Sequence, residues 1–214
     1  VSAPAPRGHA RFGRAFPVVE HAGLANAVTL TGGVLGIAGV FLAARGAPSA
    51  AVTCCALTLP CDVLDGLIAR RTGTSSAFGG QLDTLADANA FCILPAALSL
   101  ALGLPAWTFA AAGFYAVTGL LRLARFAVVG TAGQGRDECF EGVPSAVAAG
   151  LFLAVASVSR FAPAPARAPL VVAAYLALGL AMISGVPFPK RGVVARSLWV
   201  IVPLAAAAMW IPPP

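Results

Sequence analysis

The chain has 214 residues, 59% of them hydrophobic and 10% charged, with a formal net charge of +6. A mean hydropathy of +0.87 is too high for a soluble globule of this length, and apolar runs of roughly 20 residues, each able to cross a ~30 Å hydrocarbon core as a helix, stand where a β-barrel would show alternation. The basic residues lie between those runs and form no patch of the kind that binds nucleic acid. The expected class is therefore all-α, a polytopic membrane helix bundle.

Residues 1–20 are rich in Pro and Ala and carry Arg7, Arg11 and Arg14. That suits a basic arm at an anionic membrane surface and equally a plain tail. Residues 21–214 are read as one transmembrane domain. Its first span is expected from Leu24 to Ala44, ending at Arg45-Gly46, and its second from Ser49 to Arg71. Thr72–Gly80 is small and polar and reads as a turn. A third span follows from Gly79 to Leu102, stopped by Gly103-Leu104-Pro105, and a fourth from Ala106 to Val129. Gly130–Glu141 is the longest hydrophilic connection. Apolar runs at 143–159, 169–186 and 194–211 bring the expectation to seven spans. The late first apolar run, with a spanning array after it, is unlike a secretory signal. The five cysteines show neither a disulfide framework nor zinc-ligand spacing and read as buried thiols.

Lys and Arg counted on alternate sides set the orientation. With the N-terminus inside, the inner face collects Arg7, Arg11, Arg14, Arg70, Arg71, Arg122, Arg125, Arg136, Lys190, Arg191 and Arg196, against Arg45, Arg160 and Arg167 outside. The end of the second span and the start of the third are thereby expected on the cytoplasmic side of the cell membrane.

Four of the chain's eight acidic residues, Asp62, Asp65, Asp83 and Asp87, fall within 26 positions at that end. On a helix, Asp62, Gly66 and Ala69 lie within ~60° of one another and Asp65 ~40° beyond, while Gly79, Asp83 and Asp87 advance by ~40° a step. Two antiparallel neighbours would thus turn two acidic stripes, each with very small residues, toward one point. Unpaired carboxylates would repel one another there. Hard divalent cations such as Mg²⁺, Mn²⁺ or Ca²⁺ resolve the conflict, and four Asp can hold two ions. Two metals beside Arg70 suit a diphosphate. The alternatives are carboxylates paired with arginines to brace the bundle and carboxylates lining the path of a membrane cation carrier.

The run Asp62-x2-Asp65-Gly66-x2-Ala69-Arg70-x8-Gly79-x3-Asp83-x3-Asp87 resembles the signature of the CDP-alcohol phosphotransferases, integral membrane enzymes of phospholipid synthesis. The resemblance implies a six-helix core, with about one extra C-terminal helix here. It also implies metal-dependent transfer of a phosphatidyl group from a CDP-linked lipid to an alcohol, with release of CMP. By the same resemblance Asp62, Asp65, Asp83 and Asp87 look like ligands of two divalent ions, Mg²⁺ or Mn²⁺. Asp62, Asp65, Gly66, Ala69, Arg70 and Gly79 would face the CDP moiety, and Asp87 would be general base on the acceptor hydroxyl. A carboxylate base agrees with the chemistry, because an alcohol needs its proton removed to become a nucleophile. His9 and His21, both before the first span, offer no competing site.

Further stretches are similar to the phosphatidylserine synthase branch: Thr74 to Asp87 with Phe91 and Pro95, Arg122-Leu-Ala-Arg125-Phe126, Phe140-Glu-Gly-Val-Pro144, and Met182-Ile-Ser184 with Phe188-Pro-Lys190. This implies CDP-diacylglycerol as donor and L-serine as acceptor, with Arg122 and Arg125 as candidate contacts to its carboxylate. Glycerol phosphate, inositol or its phosphate, and other amino alcohols stay open. The branch pattern has Asn where this chain has Ala127, a Ser-Phe-Gly run where it has Ala90-Phe91-Cys92, and Pro-Asn where it has Ala25-Asn26. Those departures bear on the acceptor more than on the reaction. Small residues along the helices would also permit a homodimer in the lipid bilayer.

Overall fold

A chain segment in hydrocarbon must satisfy its own backbone and so folds as helix. The computed structural model describes residues 21–130, 139–189 and 193–212, and among them finds seven helices. In order these are α1 (Leu24–Ala44), α2 (Pro48–Thr72), α3 (Ala77–Ala101), α4 (Thr108–Val129), α5 (Ser145–Ser159), α6 (Ala164–Ile183) and α7 (Val193–Ala208). Helices α1 to α4 and α6 are long and apolar enough to span a membrane, while α5 and the apolar part of α7 are shorter. The all-α multi-pass bundle expected from composition is the fold. The basic arm over 1–20, most of the 130–141 connection, and Lys190 with Arg191 lie outside the described residues.

Local chemistry sets the ends. Helix α2 stops at Gly73, whose φ of 67° is the left-handed cap that glycine takes without penalty. Helix α3 begins at Ala77, ahead of the expected Gly79, because Ser76 caps it, its Oγ accepting the Gly79 N–H at 3.0 Å. Helix α6 starts at Ala164, five residues before the expected 169. A proline in the first helical turn has no N–H to leave unpaired, so the Pro-rich stretch opens this helix and does not delay it.

Helix α1 packs along α2 and against α3. Gly32, Gly36 and Gly39 are buried on α1, and a Cβ at Gly36 would come within 2.6 Å of Asn89 Nδ2. This stripe lets α1 approach closely enough to reach the acidic residues. It went unnoticed among the sequence expectations, although Gly32-x3-Gly36 carries its signal.

Immediately after Asp87, α3 widens into a π-helical segment, Ala88–Ile93, and returns to α geometry at Leu94. Pro95 has no N–H to give the Phe91 carbonyl. Tyr115 Oη of α4 donates to that carbonyl at 3.0 Å instead, and Tyr175 Oη of α6 donates to the Pro95 carbonyl at 2.7 Å. Both tyrosines belong to the core, where Tyr175 stacks on Phe152 of α5 with ring centroids 4.3 Å apart. The third and fourth spans are thus locked around the bulge that ends the acidic stripe. Tyr115→Phe should leave the Phe91 carbonyl without its partner at a cost of about 1–3 kcal/mol. The expected result is a thermal midpoint lowered by several degrees in detergent, measured by tyrosine-independent scanning of cysteine exposure.

Two short strands join the connections on either side of α5 and α6. Strand β1 (Cys139–Glu141) pairs antiparallel with β2 (Pro187–Pro189), Phe140 opposite Phe188. Gly142, at φ 75°, turns the chain directly against the Met182 carbonyl, where a Cβ would clash. Its N–H donates to Val186 O at 3.0 Å and the Val143 N–H to Ala181 O at 3.0 Å. The ribbon is therefore fastened to the C-terminal end of α6.

Candidate active site

Helix α2 supplies Asp62 and Asp65, and α3 supplies Asp83 and Asp87. Asp62, Asp83 and Asp87 each offer a carboxylate oxygen within 4.8 Å of the others. Asp65 stands apart from this trio. It is 5% exposed and accepts a hydrogen bond from Thr29 Oγ1 of α1 at 2.6 Å. Helix α1 thus holds one of the four carboxylates in place, a role for Thr29 absent from the sequence expectations because it is 36 residues away in the chain.

Asp65 and Asp83 line a polar cavity of about 180 Å³ with Gly66, Ala69, Arg70 and Gly79. All the residues expected to face a nucleotide except Asp62 are therefore collected in one place. The small residues have visible uses. A Cβ on Gly66 would lie 3.0 Å from Arg70 Nη1, so glycine lets the guanidinium fold back along its own helix. One on Gly79 would lie 3.0 Å from Asn26 Oδ1, so glycine admits the start of α1.

Asp62 also stands at an apolar cavity of about 460 Å³. Leu57, Pro60 and Val63 of α2, Val147 of α5, and Leu198, Trp199, Val202 and Ala206 of α7 line it. No sequence reading anticipated this space, since it needs three helices far apart in the chain. Its partial signal is the spacing Leu198, Trp199, Val202, Ala206 on the last apolar run.

Arg122 and Arg125 line a third cavity, of about 110 Å³, with Phe126, Phe140, Glu141 and Met182. The Arg122 guanidinium is buried, 5.5 Å from the Phe126 ring centroid and 5.6 Å from that of Phe140. Its Nη1 reaches Ser145 Oγ at 3.4 Å, its Nε has no hydrogen-bond partner, and it interacts electrostatically with Asp87. Arg125 is exposed and ion-paired to Glu141. The two candidate acceptor contacts thus share a cavity but differ in setting.

The donor set fits a divalent metal. Three carboxylates converge without a direct salt bridge: among the described residues the ion pair is Arg125 with Glu141, and Arg122 meets Asp87 only as a longer-range electrostatic neighbour. Braced carboxylates in a structural bundle would show the opposite. All-oxygen ligation of this kind favours hard ions.

The comparison with known proteins agrees with this chemistry. The family model described as CDP-alcohol phosphatidyltransferase matches residues 22–210. The CDP-diacylglycerol–serine O-phosphatidyltransferase of Saccharomyces cerevisiae is 37% identical over 101 residues, 44% of this chain and 37% of that protein. The protein of the same name from Methanocaldococcus jannaschii is 33% identical over 134 residues, 63% of this chain and 61% of its own length. The archaetidylserine synthase of Methanothermobacter thermautotrophicus is 30% identical over 160 residues, 72% of this chain and 64% of that protein. The chain thus spans less than two thirds of each of these relatives. With helices α1 to α7, the acidic signature and all three cavities inside the matched region, the chain belongs to the CDP-alcohol phosphatidyltransferase family.

Proposed function

We propose that this chain transfers a phosphatidyl group from CDP-diacylglycerol to the hydroxyl of L-serine, releasing CMP and forming phosphatidylserine. The observation that carries the reading is that the aspartates border a polar cavity at Asp65 and Asp83 and a large apolar one at Asp62, while Asp87 interacts electrostatically with Arg122, which lines a small cavity with Arg125. A donor with a nucleotide and a lipid tail, meeting a small acceptor that bears a carboxylate, has those three needs. The names of the relatives also favour serine.

In this reading the CDP moiety lies along Gly66, Ala69 and Gly79, with Arg70 against the diphosphate. The acyl chains follow the apolar cavity between α2, α5 and α7. Asp62, Asp65, Asp83 and Asp87 hold Mg²⁺ or Mn²⁺, two ions by the number of carboxylates. The metal, when bound, neutralises the diphosphate and the departing CMP. Arg122 and Arg125 hold the serine carboxylate and so aim its hydroxyl. Asp87 accepts the hydroxyl proton as the serine oxygen bonds to the phosphatidyl phosphorus, and the bond from that phosphorus to CMP breaks. The excess of Lys and Arg near this end of the bundle supports a site at the cytoplasmic face of the cell membrane.

Purified protein given CDP-diacylglycerol, Mg²⁺ or Mn²⁺ and labelled serine should release CMP and form labelled phosphatidylserine. Release of CMP only with glycerol phosphate, an inositol compound or another alcohol would overturn serine and leave the transfer. Cation flux without nucleotide chemistry would favour the carrier. The lipid path has its own test. Ala206→Trp places a large ring in the apolar cavity and should raise KM for CDP-diacylglycerol about tenfold or more while KM for serine stays within about twofold, a loss of the size expected when roughly 1–3 kcal/mol of apolar contact is blocked.

A further inference from the structure

The arginine-lined cavity contains a carboxylate of its own. Glu141 sits at the end of β1, its place fixed by the Phe140–Phe188 pairing and by the turn at Gly142. Its side chain reaches Arg125 as an ion pair, yet the two side chains remain 42% and 54% exposed. In the same cavity Arg122 is 9% exposed, its guanidinium beside two phenylalanine rings that pack on each other, with its Nε unpartnered. Arg122 also lines the cavity, and its buried, unpaired Nε is a donor that an acceptor oxygen would satisfy. The cavity, of about 110 Å³, has room for a small acceptor.

We propose that Glu141 is a resident stand-in for the acceptor's carboxylate: it pairs with Arg125 while the cavity is empty and is exchanged for the carboxylate of the incoming amino acid, which Arg125 and Arg122 then hold together. This rests on the reading of serine as acceptor and adds the residue against which serine competes. The exchange keeps the charge at Arg125 balanced at every stage. It also discriminates. An acceptor with a carboxylate replaces the ion that it removes, whereas a neutral alcohol leaves Arg125 unpaired or fails to enter. An exposed pair of this kind is weak, so displacement costs little.

The test uses the full chain in nanodiscs with CDP-diacylglycerol and Mg²⁺. Removing the competitor with Glu141→Gln should lower KM for L-serine by about two- to five-fold, with kcat within about twofold. L-alanine, which has the carboxylate and no hydroxyl, should inhibit, and its inhibition constant should fall by the same factor. Glu141→Asp should stay near wild type, and Glu141→Gln placed on Arg125→Gln should produce no further fall. An unchanged or raised KM in a Glu141→Gln protein that melts normally would overturn the exchange and make Glu141 a brace for the ribbon. If the wild type itself releases CMP with an alcohol lacking a carboxylate and not with serine, the serine reading falls before any variant is made, and the exchange falls with it. Wild-type use of serine with no gain in the variant overturns the exchange alone.

Discussion

Asp87→Asn should lower kcat for CMP release by about 10²- to 10⁴-fold, the range for loss of a positioned general base. Asparagine keeps the shape of the side chain but cannot take a proton from the acceptor hydroxyl. The position supports this assignment over the other three aspartates. Asp65 is engaged with Thr29, and Asp62 adjoins the apolar cavity. Asp87 alone is on the Arg122 side, at the point where α3 widens into its π segment. If Asp87 carries the proton, KM for serine moves far less than kcat, and raising the metal concentration restores little. Recovery of most activity at high Mg²⁺ or Mn²⁺ would instead make Asp87 chiefly a metal ligand. Loss of metal-dependent CMP release in this variant, with the fold intact by thermal melting, would also remove the cation-carrier alternative.

The acidic signature was readable in the sequence because its chemistry leaves little choice. Carboxylates in an apolar chain need a reason, and the helical period fixes which neighbours share their face. Gly66 and Ala69 on one helical stripe and Gly79 on the other do line one cavity, with Arg70 beside them. Distant packing was not readable. Thr29 reaches Asp65 only because Gly32 and Gly36 let α1 settle close to α2 and α3. The π segment depends on Pro95 in α3 together with a tyrosine on α4, so neither residue alone announces it. The apolar cavity draws on residues near 60, 147 and 200, and on a final helix that hydropathy could register only as another span. The β1–β2 ribbon is three residues long on each side, below the length at which alternation is a signal, and two of the six residues are prolines.

Arg122→Gln should lower kcat/KM for serine by about 10- to 150-fold, the effect of losing a hydrogen bond to a charged group worth roughly 1.5–3 kcal/mol. Most of the loss should appear in KM for serine, with KM for CDP-diacylglycerol within about twofold. The reason lies in how the side chain is held. Phe126 and Phe140 cover the guanidinium and Ser145 engages Nη1, which leaves the Nε edge as the group still seeking an acceptor. Lysine is a poor replacement, because a compact ammonium neither stacks on a ring as a guanidinium does nor presents a planar fork to a carboxylate. Arg122→Lys should therefore recover less than tenfold of the loss although the charge is kept. Arg125, exposed and already paired, should be the weaker partner, and Arg125→Gln should cost less than Arg122→Gln. A fall in kcat alone, with KM for serine unchanged in a protein that melts normally, would assign Arg122 to the neighbourhood of Asp87 and leave the acceptor carboxylate to Arg125. On the proposed reading, the buried arginine would separate recognition of the alcohol from the transfer chemistry, which would fall to the four aspartates for any acceptor that reaches them.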